Sequence, residues 1–428
     1  MTQVPTAPVH PTVARLLLVV FMPFAGGYFL SYLYRSTNAV IAPQLIAEIG
    51  LDAGDLGLLT STYFLAFAGF QLPLGLLLDR FGPRRVQSVL LLSAALGATL
   101  FAVGESLVAL AVARAFIGLG VAGGLMASFK AITLWFPKQR WPLINGCFMA
   151  IGGLGAVAAT RPLEMALHVT DWRGVFLALA AVTVIVALTI RLAVPERPIH
   201  GAGDTLGEQL SGLRRVFADL LFWRVAPLTV TTMAANLAIQ GLWAGPWLRD
   251  VGGMDTEAAA DALLWLAAAM TLGFVLTGII ADRCTRRGIP LSRVILVLTT
   301  LFMASQALIV FELAPASVLP WVAFGLLANG AALVYPLLNG HFPLALSGRA
   351  STGLNTLAFF GAFAGQYLMG AAIDLWEPLA GGGYRAEAYQ AVFGGILVLQ
   401  VLSLLWYAVA GRWAAPEPSP GQPKDTAV

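Results

Sequence analysis

Twice in this chain a long apolar run ends in the same unusual punctuation. Residues 75–85 read GLLLDRFGPRR, and residues 278–288 read GIIADRCTRRG. Each has Gly-x-x-x-Asp-Arg followed by clustered arginines, and Asp79 and Asp282 stand 203 positions apart in a chain of 428. Arginine at the end of one apolar segment would be ordinary. Two copies, with glycine, aspartate and arginines in matching order, divide the chain into related halves and predict two copies of one bundle.

Those bundles belong in lipid. The chain is 58% hydrophobic and only 11% charged, where a soluble domain is about a quarter charged. A helix needs about 20 apolar residues to cross a bilayer. Apolar runs separated by charged or Gly/Pro turns predict twelve spans, at 15–45, 55–78, 85–104, 107–135, 140–167, 172–194, 223–248, 257–281, 291–312, 317–345, 351–375 and 388–412. The expected organisation is an all-α integral membrane protein with a tail over 1–14, a six-helix bundle over 15–194, a linker over 195–222, a second six-helix bundle over 223–413 and a disordered tail over 414–428. Within the linker, GEQLSGLRRVFADLL has the pattern of a short amphipathic helix at the membrane surface.

Loop charge sets the orientation. Arg80, Arg84, Arg85, Lys138, Arg140, Arg283, Arg286, Arg287 and Arg349 gather on one side, while Arg173, Arg249 and Arg385 fall on the other with Glu48, Asp52 and Asp55. The positive-inside rule puts the basic side and both termini in the cytoplasm. The first residues lack a signal-peptide pattern, so the first span is expected to serve as an uncleaved insertion signal. Cys147 and Cys284 fall in different segments, and His10, His168, His200 and His341 are scattered. Neither set suggests a metal site, a cofactor or a disulfide framework. No catalytic constellation or P-loop is present, so an enzyme or ATP-driven pump is not supported. The basic residues lie in loops between spans and give no reason to expect nucleic acid.

The duplicated loop, the six-plus-six spans and the charged linker resemble the major facilitator superfamily over about residues 15–412. Gly75, Asp79, Arg80, Gly82, Arg84 and Arg85 match that family's loop 2–3 motif. Gly278, Asp282 and Arg283 look like its degenerate second copy. Arg114 with Gly118 and Gly120, the WFP of 135–137, and the Asp171-Trp172-Arg173 start of span 6 are similar to further motifs. The resemblance implies that the loop residues gate a conformational change. Asp79, at the inner end of span 2, would pair with Arg84 or Arg85 or cap the positive N-terminal end of span 11, placed at Ser351-Thr352.

Charges inside the spans are candidate sites, since an arginine near a helix centre costs about 2.5–3.5 kcal/mol on insertion scales. Arg35 stands in SYLYRSTNAVIAP, and helical spacing puts Tyr28, Ser31, Arg35 and Asn38 on one face of span 1. Its place before Ala42-Pro43 resembles the first-span arginine of the organic anion:cation symporter branch, which implies a role in binding substrate carboxylate or phosphate. Arg114 either faces the cavity or tethers helices. Lys130 is near the inner edge, where its stem can snorkel. Arg161 has Glu164 three residues on, the spacing of a local ion pair. In the second half the stripe is neutral: Asn236, Gln240, Trp243 and Trp247 share a face of span 7, with Gly245-Pro246 expected to break the helix. On span 11, Asn355 and Gln366 stand about 20° apart around the wheel, and span 10 carries Asn329, Tyr335 and Asn339.

The deep spans therefore hold Arg35, Arg114, Lys130 and Arg161 against Glu164 alone, a net-positive interior that favours anions. The expected function is alternating-access secondary transport of a small organic or inorganic anion across an inner membrane by a monomer, with a proton or sodium ion as the coupling ion. Import is favoured, because GGLGAVAATRP in span 5 lacks the Gly-Pro-x-x-Gly-Gly pattern of the family's exporters. Uptake of iron or an anionic iron chelate, efflux of lipophilic drugs, and a non-transporting sensor or assembly subunit stay open as alternatives.

Overall fold

The computed structural model describes residues 13–137, 140–196, 206–379 and 383–410. Most of the tails expected over 1–14 and 414–428, and residues 197–205 of the linker, lie outside the described residues. Among the described residues, eleven helical segments are long and apolar enough to cross a membrane. A further crossing lies in the helix Ala53–Val103, whose 51 residues would run roughly 75 Å at 1.5 Å per residue, more than twice a hydrocarbon core. That helix breaks at Gly82, whose φ of 79° is left-handed. Only glycine takes that conformation without strain, so the Gly of the first loop motif is where span 2 turns into span 3.

The spans are interrupted where the residues require it. Span 1 runs Val13–Leu16, a π turn Leu17–Phe21, Met22–Ser36 and Asn38–Ile49. Span 4 is Leu107–Val121 and Gly124–Trp135, span 5 is Trp141–Ala158 and Arg161–Leu167, and span 6 is Trp172–Ala193. The linker helix Leu206–Phe217 follows. Span 7 is Leu220–Ala238, a π turn Ile239–Trp243 and Ala244–Asp250. Spans 8 and 9 are Thr256–Arg286 and Leu291–Val310. Span 10 is Leu319–Leu327, a 3-10 turn Gly330–Leu333 and Val334–His341. Spans 11 and 12 are Leu344–Ile373 and Ala386–Ala410.

Two expectations are corrected here. Gly245-Pro246 does not break span 7. The widened turn Ile239–Trp243 just before it absorbs the missing N–H of Pro246, and the chain stays helical to Asp250. Span 11 starts at Leu344, not at Ser351. Ser351 lies two turns inside, with its hydroxyl donating to Asn339 Oδ1 at 3.0 Å, and the helix end itself closes on the Pro343 carbonyl, which accepts from the Leu346 and Ser347 N–H groups at 2.8 and 3.0 Å.

Spans 1–6 and spans 7–12 meet along three seams: span 1 on span 7, span 2 on span 11, and span 5 on span 8. Small residues allow the approach. A Cβ on Gly245 would lie 2.5 Å from the Ala39 carbonyl. The start of span 6 is pinned to the end of span 1, with Trp172 Nε1 donating to Glu48 at 2.6 Å and Arg173 paired with it at 2.7 Å. The linker helix buries Leu213 and Val216, and Leu213 and Phe217 pack on Gly353 of span 11. Val89, Ile185, Leu192, Leu272, Val398 and Leu402 face outward, as lipid-exposed spans require.

Candidate functional site

We call the arginine-rich end the inner end, following the positive-inside rule. Arg35 lies near the middle of span 1, 8% exposed. Its guanidinium stands 4.7 Å from the Tyr32 ring centroid, 5.7 Å from Phe67 and 5.5 Å from Phe359. Phe67 is on span 2 and Phe359 on span 11, and their rings are 4.2 Å apart. The cation is thus held in an aromatic cage whose walls come from both halves. Among the described residues no carboxylate pairs with it, and its buried Nε has no hydrogen-bond partner. Cation–π contacts are worth about 0.5–2 kcal/mol each, which offsets part of the burial cost but leaves Nε without a partner.

Several other candidates gather around it. Gln240 Nε2 donates to Ser36 Oγ at 3.1 Å, crossing from span 7 to the residue after Arg35. Asn236, one turn before Gln240, keeps a buried Oδ1 without a partner, and so does Trp243 at Nε1. Tyr28 is buried, with its hydroxyl 3.4 Å from that of Tyr32, the cage residue. Asn355, one turn before Phe359, accepts from the Tyr335 hydroxyl at 3.1 Å. Asn38 is fully buried and its Nδ2 donates to Thr60 Oγ1 at 2.7 Å, so it ties span 1 to span 2. Ser36, Phe67 and Phe359 escaped the sequence reading. Apolar rings in an apolar helix carry no signal that separates a cage from ordinary packing.

Arg114 stands apart from this group. It is 1% exposed, donates to the Tyr34 carbonyl at 2.8 Å and lies 5.1 Å and 5.7 Å from the Phe101 and Phe176 rings. That geometry is a tether between spans 1, 3, 4 and 6. Arg114→Ala is therefore expected to lower the yield and thermal stability of folded protein, with anion affinity of the surviving fraction unchanged. An affinity loss matching that of Arg35→Ala would place Arg114 in the binding site.

Arg161 does more than pair locally. It binds Glu164 at 2.8 Å, and across the seam it reaches Glu257 at 3.0 Å and Asp261 at 3.5 Å of span 8. Glu164, His168 and Glu257 place ligand atoms within 4.8 Å of one another. Arg161 already occupies an oxygen of both glutamates, so the cluster reads as an ion-pair network.

In the loop 2–3 motif, Arg84 donates to the Arg191 carbonyl through Nε at 2.9 Å and, with Arg85, contacts Glu196. These arginines hold the end of span 6 in their own half. Arg80 is exposed over the Phe81 ring at 5.2 Å, Gly75 is half-buried in span 2, and the side chain of Asp79 lies outside the described residues. In the second copy Asp282 pairs with Arg286 four residues on at 3.0 Å, Arg283 is exposed, and Gly278 faces open space. A cleft of about 420 Å³ opens at the inner surface between Arg80, Arg84, Trp135 and Glu196. Its arginines 84 and 85 are already engaged with oxygens of their own half, whereas Arg35 between the halves pairs with no carboxylate among the described residues.

A probable sulfoacetate transporter of Cupriavidus necator is 25% identical over 276 residues, 61% of this chain and 64% of that relative. A hexuronate transporter of Bacillus subtilis is 24% identical over 307 residues, 68% of this chain and 71% of its own. The chain thus matches slightly under two thirds of the first relative's length. A bacterial homologue of the human lysosomal transporter Spinster, solved inward-facing and unoccupied, superposes with a TM-score of 0.76 over 94% of this chain and 98% of its own, at 19% identity. That likeness speaks for the fold. The profile of the Major Facilitator Superfamily matches residues 24–366. Broken spans, a glycine-turned loop 2–3 and a polar site between two sets of six helices all accord with that match, and this integral multi-pass membrane protein belongs to the Major Facilitator Superfamily.

Proposed function

We propose that the protein is a secondary transporter that moves a small organic anion by alternating access, with Arg35 as its anchor. The observation that carries this reading is a buried guanidinium between the halves with no carboxylate partner among the described residues. A bound carboxylate or sulfonate would supply the missing counter-charge through charge-assisted hydrogen bonds, about twice as strong as neutral ones. Gln240, Asn236 and Asn355 offer neutral donors and acceptors from the facing half for the rest of the ligand. The names of the relatives, sulfoacetate and hexuronate transporters, support an organic acid. In this reading residues 15–194 and 223–413 rock as two bodies about the Arg35 level, in an inner membrane with both termini cytoplasmic. Transport is inward and coupled to an ion.

The test is a thermal-shift screen of carboxylates, sulfonates and inorganic anions on purified protein. Uptake of the labelled hit into proteoliposomes follows. Stabilisation and saturable uptake of an organic anion are expected. A preferred substrate that is cationic, or a lipophilic compound expelled from vesicles, would overturn the reading.

A further inference from the structure

We propose that Asp374 is a gating residue: its carboxylate, at the outer end of span 11, caps the N-terminus of span 2 in the other half and latches the outer side shut. The proposal rests on the alternating-access reading but not on the identity of the substrate. Asp374 immediately follows span 11. Its Oδ1 accepts from the Ala53 N–H at 3.1 Å, and its Oδ2 accepts from the Gly54 N–H. Ala53 and Gly54 are the first residues of span 2. The first N–H groups of a helix have no partner within it, and their partial positive charge favours a carboxylate.

That helix already has its own cap. Asp52 accepts from the Asp55 N–H at 2.7 Å, and the Asp55 carboxylate takes the Asp52 N–H in return. A second carboxylate is therefore not needed to start span 2. It also brings negative charges together. Burial, with the nearby Asp374 and Asp55 carboxylates, raises the Asp52 carboxyl above its usual range. What the second carboxylate adds is a bond between the halves.

The neighbours hold Asp374 in place. The Tyr384 hydroxyl donates to its Oδ1 at 2.6 Å, and the Tyr384 backbone N–H donates to Asp250 at the end of span 7 at 3.0 Å. Asp250 also accepts from the Tyr389 hydroxyl of span 12 at 2.6 Å. The latch is thus braced by the outer ends of spans 7 and 12. Gly54 is the residue that admits it, because a Cβ there would run into the Asp374 carboxylate. One turn deeper, Gly57 and Gly370 bring the backbones of spans 2 and 11 together. A Cβ on Gly57 would lie 2.9 Å from the Gln366 carbonyl, and one on Gly370 would lie 3.1 Å from the Gly57 Cα. A close glycine crossing directly beneath a charged cap forms a seal that must separate before the outer side can open.

The experiment measures outer opening directly. Gln366→Cys, fully buried beneath the latch, is placed in a Cys147→Ser, Cys284→Ser background and labelled from outside with a membrane-impermeant maleimide. Asp374→Ala should raise the labelling rate about tenfold, the population shift that loss of a cap of 1–2 kcal/mol produces. Gly54→Ala, which displaces the carboxylate without removing it, should act in the same direction and serves if Asp374→Ala fails to fold. A disulfide between Gly54→Cys and Asp374→Cys should suppress labelling and uptake together until reduced. An unchanged or slower labelling rate in folded Asp374→Ala or Gly54→Ala protein would overturn the latch. Faster labelling in a protein that carries no organic anion would leave the latch standing and remove only the substrate assignment.

Discussion

Arg35→Ala should lower anion affinity about 10- to 100-fold and reduce uptake into proteoliposomes to background. Hydrogen bonds to charged groups are worth about 1.5–3 kcal/mol, and each 1.4 kcal/mol is a factor of ten. The loss falls on affinity because Arg35 makes no ion pair among the described residues that its removal would leave unbalanced. Arg35→Lys should be intermediate. It keeps the charge, but Tyr32, Phe67 and Phe359 surround a planar group, and an ammonium neither stacks as guanidinium does nor offers its fork of donors. Phe359→Ala is the companion test, since it opens the cage from the C-terminal half alone. It should weaken binding less than Arg35→Ala does, as the charge remains. Measured by thermal shift and by labelled uptake, wild-type behaviour of Arg35→Ala would end the anion reading.

The sequence made Arg35 visible because a charge in an apolar run is costly and therefore conspicuous. The same signal marked Arg114, and there it pointed to a tether. Nothing in a linear pattern tells whether a buried guanidinium is tied to a carbonyl and rings of its own half, as Arg114 is to Tyr34, Phe101 and Phe176, or stands between the halves, as Arg35 does beside Phe67 and Phe359. The spans were legible for a related reason: lipid forces long apolar segments, and arginines mark their inner ends. Breaks within spans were less so. Gly245-Pro246 looked like a helix end, yet a π turn ahead of it keeps the helix going. Partners across the seams were not legible at all. Arg161–Glu164 could be seen at three residues' spacing, but Glu257 and Asp261 are far away in sequence. Nothing in the sequence around Asp374 marks Ala53 and Gly54 as its partners, and only the fold brings it to the start of span 2.

Asp79→Asn should leave a folded, inserted protein with slowed transport. Arg84 and Arg85 are held by the Arg191 carbonyl and Glu196, so the end of span 6 keeps its anchor when Asp79 loses its charge. What the substitution removes is a carboxylate that we propose caps the start of span 11 from the inner end of span 2. A helix end favours such a charge by about 0.3–2 kcal/mol, enough to shift the balance of two states by up to about thirtyfold. Spans 2 and 11 would then be latched at both ends in reciprocal fashion, Asp79 of span 2 on the start of span 11 at the inner side, and Asp374 after span 11 on the start of span 2 at the outer side. Weakening the inner latch should favour the inward-open state and slow maleimide labelling of Gln366→Cys from outside. Weakening the outer one with Asp374→Asn should do the reverse. In the double variant the two shifts oppose, so labelling should return toward the wild-type rate, and uptake should recover above that of either single variant. Independent defects would instead compound, and a double variant slower than both singles would show that the two aspartates do not act on one equilibrium. Wild-type transport and labelling in Asp79→Asn would remove the inner latch and leave Asp374 as a gate without a counterpart.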